Sequence, residues 1–245
     1  MVRAIIVLMA GALAALPTTP ARADPIAPGR GIVKLTDEEL ARVTGKFILP
    51  NGVELALTVT SDTVVRQQYD FSCGSAALAT LLRYHYDLPR SESDVFTGMW
   101  REGDQPRIRQ VGFSLLDMKR YLADNNLRAD GYKVSLDQIA QRGLPGIALI
   151  TVKGYRHFVV VKGVAADQVL IGDPSLGLRT MPVREFKALW NGLYFVLNSN
   201  LDVGQRNFNG ARQWRVLARA PVGGPFVEPL SQQALALAAP FYRDF

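Results

Sequence analysis

Residues 64–86 have the sequence VVRQQYDFSCGSAALATLLRYHY, which contains Cys73, the single cysteine of the 245-residue chain. From Cys73 onward, apolar residues recur at helical spacing and stop near Leu88–Pro89, which predicts a helix that begins at the thiol. The N-terminus of a helix stabilises a thiolate, and the small residues Gly74 and Ser75 would let a substrate approach it. A lone cysteine is also often a small buried hydrophobe. Its position alone therefore leaves both a reactive and a structural thiol open.

Residues 1–23 have the composition of a secretory signal peptide. Arg3 precedes an apolar run at 4–16, and Ala21-Arg22-Ala23 is a small-x-small cleavage site. The run is shorter than the about 20 residues that span a bilayer, which argues against an uncleaved anchor. We expect a periplasmic or secreted mature protein with no transmembrane segment. Cysteines usually pair in such compartments, so an unpaired Cys73 is shielded, bonded to another chain or reactive.

The charge pattern excludes several classes of partner. Removing the signal peptide lowers the formal net charge from +6 to +4, and the basic residues are scattered among acidic ones. No basic run with interleaved aromatics suggests nucleic-acid binding, and no phosphate-binding loop suggests ATP binding. One cysteine and two separated histidines imply no metal site. We expect no cofactor.

The chain divides into four predicted parts. After the signal peptide, residues 24–61 form a linker, a short helix that begins with a Thr36–Glu39 capping box, and a hairpin with Asn51-Gly52 at its turn. Residues 62–198 form the main domain, and residues 199–245 an extension. The main domain begins with helices, including ones capped by Ser91 or Ser93, Ser114 and Ser135. It continues with strands GIALITV (146–152), HFVVVKGV (157–164) and QVLIGDP (168–174), then a helix (REFKALWNG, 184–192) and a strand (LYFVLNS, 193–199). Helices followed by a mostly antiparallel sheet predict an α+β fold.

His157 and Asp173 lie at the outer ends of two strands that a short turn joins. A hairpin folds back on itself, so we expect a carboxylate–imidazole hydrogen bond that fixes the histidine tautomer and leaves the other ring nitrogen for a nucleophile. Separately, the two residues would be a strand-end histidine and an Asp-Pro turn. The second histidine, His85, lies in the helix that Cys73 begins, roughly 18 Å along it at about 1.5 Å per residue. That is too far for it to accept the thiol proton.

Attack of a thiolate on a carbonyl requires donors for the developing oxyanion. The backbone N–H of Cys73 is one candidate. The side-chain amides of Gln67 and Gln68 are further candidates, since both precede the cysteine by a few residues.

The run Q-x5-C-G, the order Cys…His…Asp and the HFVVV…GV…VLIGDP hairpin resemble the C39 peptidases, over roughly residues 62–198. These papain-like cysteine peptidases cut leader peptides after a double glycine. The resemblance implies a helical half that carries the cysteine and an antiparallel sheet that carries the histidine and aspartate. By motif position, Cys73 would be the nucleophile, His157 the general base, Asp173 the orienting acid and Gln67 the oxyanion donor, whereas Gln68 is one place out of register. The family usually has Asp before the cysteine, where this chain has Ser72.

Most members of the family are attached to a peptide-exporting ABC transporter. This sequence has an export signal and neither a transporter membrane domain nor an ATPase, so it is similar to stand-alone exported members, some of which accompany functional-amyloid secretion systems. The resemblance implies an exported endopeptidase that cuts after a small residue, with a peptide or protein as its partner. Two alternatives stay open: another Cys-His-Asp hydrolase such as a cell-wall amidase, and a catalytically idle peptide-binding module.

Residues 35–46, LTDEELARVTGK, resemble a bacteriocin-type leader that ends in Gly45-Lys46 instead of Gly-Gly. One interpretation is an N-terminal helix that covers an apolar patch. The other is a substrate mimic that occupies or regulates the peptide-binding groove.

Overall fold

The computed structural model describes residues 31–46 and 63–218. Its helices are α1 Asp37–Arg42, α2 Cys73–His85, α3 Glu92–Glu102, α4 Gln105–Val111, α5 Leu115–Asp124, α6 Leu136–Arg142, α7 Val183–Leu189, α8 Leu201–Arg206 and α9 Ala211–Ala218. Its strands are β1 Val33–Lys34, β2 Ala129–Lys133, β3 Gly146–Val152, β4 Tyr155–Val164, β5 Gln168–Asp173, β6 Gly177–Pro182 and β7 Trp190–Leu197.

The strands within these residues form one sheet in the order β1-β2-β7-β3-β4-β5-β6, and each neighbouring pair is antiparallel. The hairpins β3–β4 and β4–β5 place β4 near the middle. The β4–β5 register pairs Val160 with Gly172, so the start of β4 and the end of β5 lie at the same edge of the sheet. His157 and Asp173 lie at that edge.

Serine residues set the N-termini of several helices. Ser91, Ser114 and Ser135 each form a capping box, in which the serine accepts an N–H from the third helical residue, and that residue's side chain returns to the serine N–H. Such a box satisfies two backbone donors that would otherwise lack an intrahelical partner. Thr36 and Glu39 form the same box at the start of α1, as predicted.

The two main apolar cores lie on opposite faces of the sheet. One packs α2, α3 and α5 against alternate side chains of the central strands, including Phe158 and Val160. The other lies beneath α6 and α7 and takes the intervening side chains, including Val159 and Val161. Because successive strand residues point to opposite faces, a strand buried on both sides is continuously apolar, as β4 is.

The predicted α+β fold is confirmed, with Cys73 on the helical side and His157 and Asp173 on an antiparallel sheet. Helix α2 ends at His85, before the predicted limit at Leu88. The predicted hairpin around Asn51-Gly52, the signal peptide and residues 219–245 lie outside the described residues. Across 31–46 and 63–218, no helix combines the length and apolar character that a membrane span requires.

Candidate active site

The loop from Gln67 to Ser72 leads into α2 and places Cys73 at its first position, fully buried. The Ser72 hydroxyl accepts the N–H groups of Gln68 (3.2 Å) and Tyr69 (3.0 Å) and donates to the Tyr69 carbonyl (3.1 Å). Serine thus fixes the loop by local hydrogen bonds at the position where the family usually has Asp. As a first-turn residue, Cys73 has a backbone N–H with no intrahelical acceptor.

Gly74 and Ser75 do not provide substrate access. A Cβ atom on Gly74 would lie 2.9 Å from Met118 Cε and 3.1 Å from Phe113 Cβ, so glycine is required for the close packing of α2 on its neighbours. Ser75 is buried, and its hydroxyl lies 2.8 Å from Glu92 Oε1. The expectation that a substrate approaches over these two residues is therefore wrong, because internal packing already occupies that space.

His157 and Asp173 lie in direct contact, as the hairpin argument predicted. His157 Nε2 is 2.7 Å from Asp173 Oδ1, and both side chains are buried. The contact engages Nε2, which leaves Nδ1 as the ring nitrogen through which the imidazole can exchange a proton with a nucleophile.

Asp173 is held as a carboxylate by several donors. Oδ1 also accepts the backbone N–H groups of Ser175 (2.9 Å) and Leu176 (3.1 Å), and Oδ2 lies 3.1 Å from Arg179 Nη2. Burial alone would raise its pKa. The hydrogen bond and charge of His157, the charge of Arg179 and the Ser175 N–H outweigh burial and lower the pKa to about 2.

The imidazole of His157 is correspondingly stabilised in its charged form. Burial opposes the charge, but hydrogen bonds to Asp173 and Cys73, together with the negative charges of both partners, raise the pKa of His157 to about 9. Cys73 therefore contributes to the raised pKa of the ring together with Asp173. The structure therefore brings three of the predicted site residues together.

Gln67, the fourth predicted site residue, joins the cysteine loop to the turn after Asp173. Its backbone N–H donates to the Pro174 carbonyl (3.1 Å), and its Oε1 accepts the Ser175 hydroxyl (2.7 Å). Its Nε2 donates one proton to the Tyr69 carbonyl (3.1 Å).

The thiol of Cys73 has a partner from a distant part of the chain. Its Sγ lies 3.3 Å from the carbonyl oxygen of Gly45, and Gly45 itself is buried. Of the two interpretations of residues 35–46, contact with the thiol agrees with occupation of the groove.

His85 lies at the other end of α2 and is fully buried. Burial and the positive charge of Lys162 hold its pKa well below the usual value. Lys162 is itself fully buried, donates to the Thr63 carbonyl (3.0 Å), and has its pKa lowered by burial to about 7. These two residues form a separate basic pair inside the domain, and the prediction that His85 is not the thiol's base agrees with this placement.

Sequence reasoning missed Arg179, which contacts Asp173, and Phe158, whose ring lies 2.8 Å from where a Cβ atom on Gly45 would be. Arg179 belongs to β6, a strand that the sequence did not predict, and Phe158 appears in the sequence only as one more apolar residue of β4. In the described ranges, His, Cys, Asp and Glu side chains form no group of three or more suited to a metal ion.

Two proteins with the same name, from two Pseudomonas species, are similar to part of the chain. The chain is 42% identical over 142 residues to the probable functional amyloid protease FapD of Pseudomonas aeruginosa, covering 58% of this chain and 63% of the relative. It is 46% identical over 140 residues to the protein of the same name from Pseudomonas fluorescens, covering 57% and 62%. The alignments thus span less than two thirds of the length of these relatives.

Two solved structures match part of the chain. The peptidase domain of Streptococcus ComA, a bi-functional ABC transporter involved in a quorum-sensing pathway, matches with a TM-score of 0.47 and 24% identity, over 55% of this chain and 96% of that domain. A double glycine motif protease from an AMS/PCAT transporter, solved in complex with the leader peptide, matches with a TM-score of 0.45 and 23% identity, over 63% and 95%.

Residues 61–202, more than half of the chain, match the Peptidase C39 family. The resemblance inferred from the motifs is thereby confirmed, and with it the expectation of a cysteine-peptidase domain. The chain belongs to the peptidase C39 family.

Proposed function

We propose that the chain is an exported cysteine endopeptidase that hydrolyses a peptide bond after a small residue, glycine in the first instance. The observation that carries the proposal is the buried His157–Asp173 pair at 2.7 Å beside a thiol that contacts a glycine carbonyl at 3.3 Å. Nucleophile, base and a peptide carbonyl are thus within one site.

The residues act in a fixed order in this proposal. His157 Nδ1 accepts the thiol proton, and Cys73 Sγ bonds to the carbonyl carbon of the residue before the scissile bond. The Cys73 N–H and the Gln67 amide donate to the oxyanion. When the intermediate collapses, the C–N bond breaks and the leaving amine takes the proton from His157. Water then hydrolyses the thioester and regenerates the thiol.

Asp173 orients the imidazole and stabilises its positive charge without taking its proton. Arg179 on the other carboxylate oxygen keeps Asp173 ionised. With its pKa raised to about 9, the imidazole of His157 binds the proton that the thiol gives up and keeps it over the neutral range until the leaving amine takes it.

The substrate that we propose is an exported protein of an amyloid or secretion system. Support comes from the relatives named functional amyloid proteases and from the signal-like composition of residues 1–23. We accordingly place the mature protein in the periplasm or outside the cell.

Fluorogenic peptides test the proposal. A peptide that contains the sequence Gly-Gly should be cut on the carboxyl side of the second glycine. A matched peptide with Val-Val at the same positions should not be cut. Cys73→Ala should abolish the cleavage. Tight peptide binding without cleavage would favour the binding module, and hydrolysis of cell-wall peptides alone would favour the amidase.

A further inference from the structure

Residues 35–46 form the segment that contacts Cys73, and its last residues, 43–46, lie across the domain as an extended peptide. Thr44 forms an antiparallel bridge with Ser114, Leu115 N–H donates to the Val43 carbonyl (3.0 Å), and Gly45 N–H donates to the Phe113 carbonyl (3.4 Å). Added-strand pairing of this type positions a peptide through its backbone. Gly45 is thereby held in register with the thiol.

Helix α1 anchors the part of the segment before this strand. Leu35, Leu40 and Val43 are buried in the same core as Cys73. Lys119 pairs with Asp37 at 2.6 Å, and Arg107 donates to the Ala41 carbonyl at 3.0 Å. The segment therefore has an apolar face and two polar attachments to α4 and α5.

The space around residue 45 admits glycine alone. A Cβ atom on Gly45 would lie 2.8 Å from Phe158 Cδ2 and 3.3 Å from the Arg156 carbonyl oxygen. On the other side of the segment, a Cβ on Gly112 would lie only 1.8 Å from the Gly45 carbonyl oxygen. A side chain on either residue would displace the peptide from the thiol.

The preceding position is less restricted. Thr44 borders a cavity of about 180 Å³ whose lining includes Ala41, Ile108 and Leu116. A side chain is therefore accommodated before the glycine, and the Thr-Gly sequence fits the cleft.

We propose that this segment is a substrate of the chain's own site and that the Gly45–Lys46 bond is hydrolysed there, an inference that rests on the peptidase function proposed above. Cys73 Sγ bonds to the Gly45 carbonyl carbon as His157 takes the thiol proton. The bond to Lys46 nitrogen then breaks, and that amine receives the proton. Solvent water hydrolyses the Gly45 thioester, leaving a Gly45 carboxylate, a new amino terminus at Lys46 and a free Cys73 thiol. The cleft is closed before the cut and open to other peptides after it.

The test follows the purified chain by intact mass and N-terminal sequencing. Wild type should yield a fragment that begins at Lys46, at a first-order rate independent of protein concentration. Cys73→Ala should remain uncut, and Gly45→Ala should be cut at least about tenfold more slowly, a barrier increase of about 1.4 kcal/mol. Glu38→Ala, at an exposed position of the same segment, is the matched control and should be cut like wild type.

A second variant separates failure of this inference from failure of the peptidase assignment. Leu40→Asp should release the segment, slow the self-cleavage and speed hydrolysis of a separate Gly-Gly peptide. If circular dichroism shows that Leu40→Asp is unfolded, Arg107→Ala is used in its place. This variant removes the hydrogen bond to the Ala41 carbonyl.

Two results would overturn the inference. If wild type stays intact while the released variant cuts the separate peptide, the segment is an uncleaved blocker and the peptidase function stands. If the folded, released variant cuts neither, the peptidase function fails as well.

Discussion

Asp173 Oδ1 lies 2.7 Å from His157 Nε2, and the two side chains are only 2% (His157) and 1% (Asp173) exposed. Because water does not screen the pair, the carboxylate raises the pKa of the imidazole strongly. The protonation state of His157 therefore depends on Asp173, and the next prediction follows from this dependence.

Asp173→Asn should lower kcat/KM by about 10²–10⁴-fold, since the amide favours the wrong imidazole tautomer and does not stabilise its charge. In wild type, His157 keeps its proton until the pH rises through about 9, so activity should fall along an alkaline limb near that pH. Loss of the carboxylate should move the limb to lower pH. A pH profile of kcat/KM checks this, with Asp167→Asn, an exposed carboxylate of the same hairpin, as the control. If the alkaline limb does not move in Asp173→Asn, His157 is not the group whose titration causes the limb.

Gln67→Ala should lower kcat by about 10²–10³-fold with little change in KM, as loss of one oxyanion donor does elsewhere. Gln68→Ala removes the same amide from the next, exposed residue and should leave both constants near wild type. Steady-state kinetics on a Gly-Gly peptide distinguish the two. Equal losses in both variants would indicate that the loop, rather than the Gln67 amide, is responsible.

Phe158→Leu should relax the requirement for glycine. The aromatic ring that would contact a Cβ at residue 45 is replaced by a smaller side chain, so Gly45→Ala/Phe158→Leu should regain the rate of self-cleavage that Gly45→Ala alone loses. The substitution of a buried phenylalanine should cost about 1–2 kcal/mol of stability. Intact-mass time courses of the single and double variants check the rescue, and thermal melts confirm that each is folded. If the double variant is cut more slowly than Gly45→Ala alone, the Phe158 ring is not what prevents a side chain at residue 45.

Lys162→Met should stabilise the domain by a few kcal/mol at pH 6 and by much less at pH 10. Burial lowers the pKa of Lys162 to about 7, below the unfolded value of 10.5, so the unfolded chain binds more protons between those pH values. Wild-type stability therefore rises with pH across that window and the difference from the methionine variant shrinks. Urea unfolding of both proteins at pH 6 and pH 10 measures this difference in the free energy of unfolding. Lys187→Met, at an exposed lysine, should show no such pH dependence, and a pH-independent gain in Lys162→Met would contradict the lowered pKa.

Much of this fold was predictable because its local signals agree with its tertiary contacts. The capping serines, the continuously apolar β4 and the β4–β5 hairpin predicted both the class and the His157–Asp173 contact. Helix α4 was missed because Pro106, Arg107 and Arg109 obscure its periodicity. Strand β2 was missed because Asp130 and Gly131 have low strand propensity. Pairing with β7 makes β2 a strand, a long-range effect that no local pattern contains.

The site was predictable to a similar degree. Residue types and their order along the chain indicated the catalytic candidates. The residues that contact these candidates and shift their pKa values or cover them are set by three-dimensional packing. Arg179 contacts Asp173 because β6 returns beside β5, and Gly45 lies at Cys73 because α1 packs on α5. Neither contact follows from spacing along the chain.

The approach of Gly112 to the Gly45 carbonyl has a consequence for how this protein can change over generations. A tight contact between two bulky residues can be repaired when one becomes smaller after the other has grown. Here both positions are glycine, and neither has an atom left to remove. A mutation that adds a side chain at Gly112 thus has no compensating mutation at residue 45. The cleft and the peptide that lies in it must keep this pair of residues together.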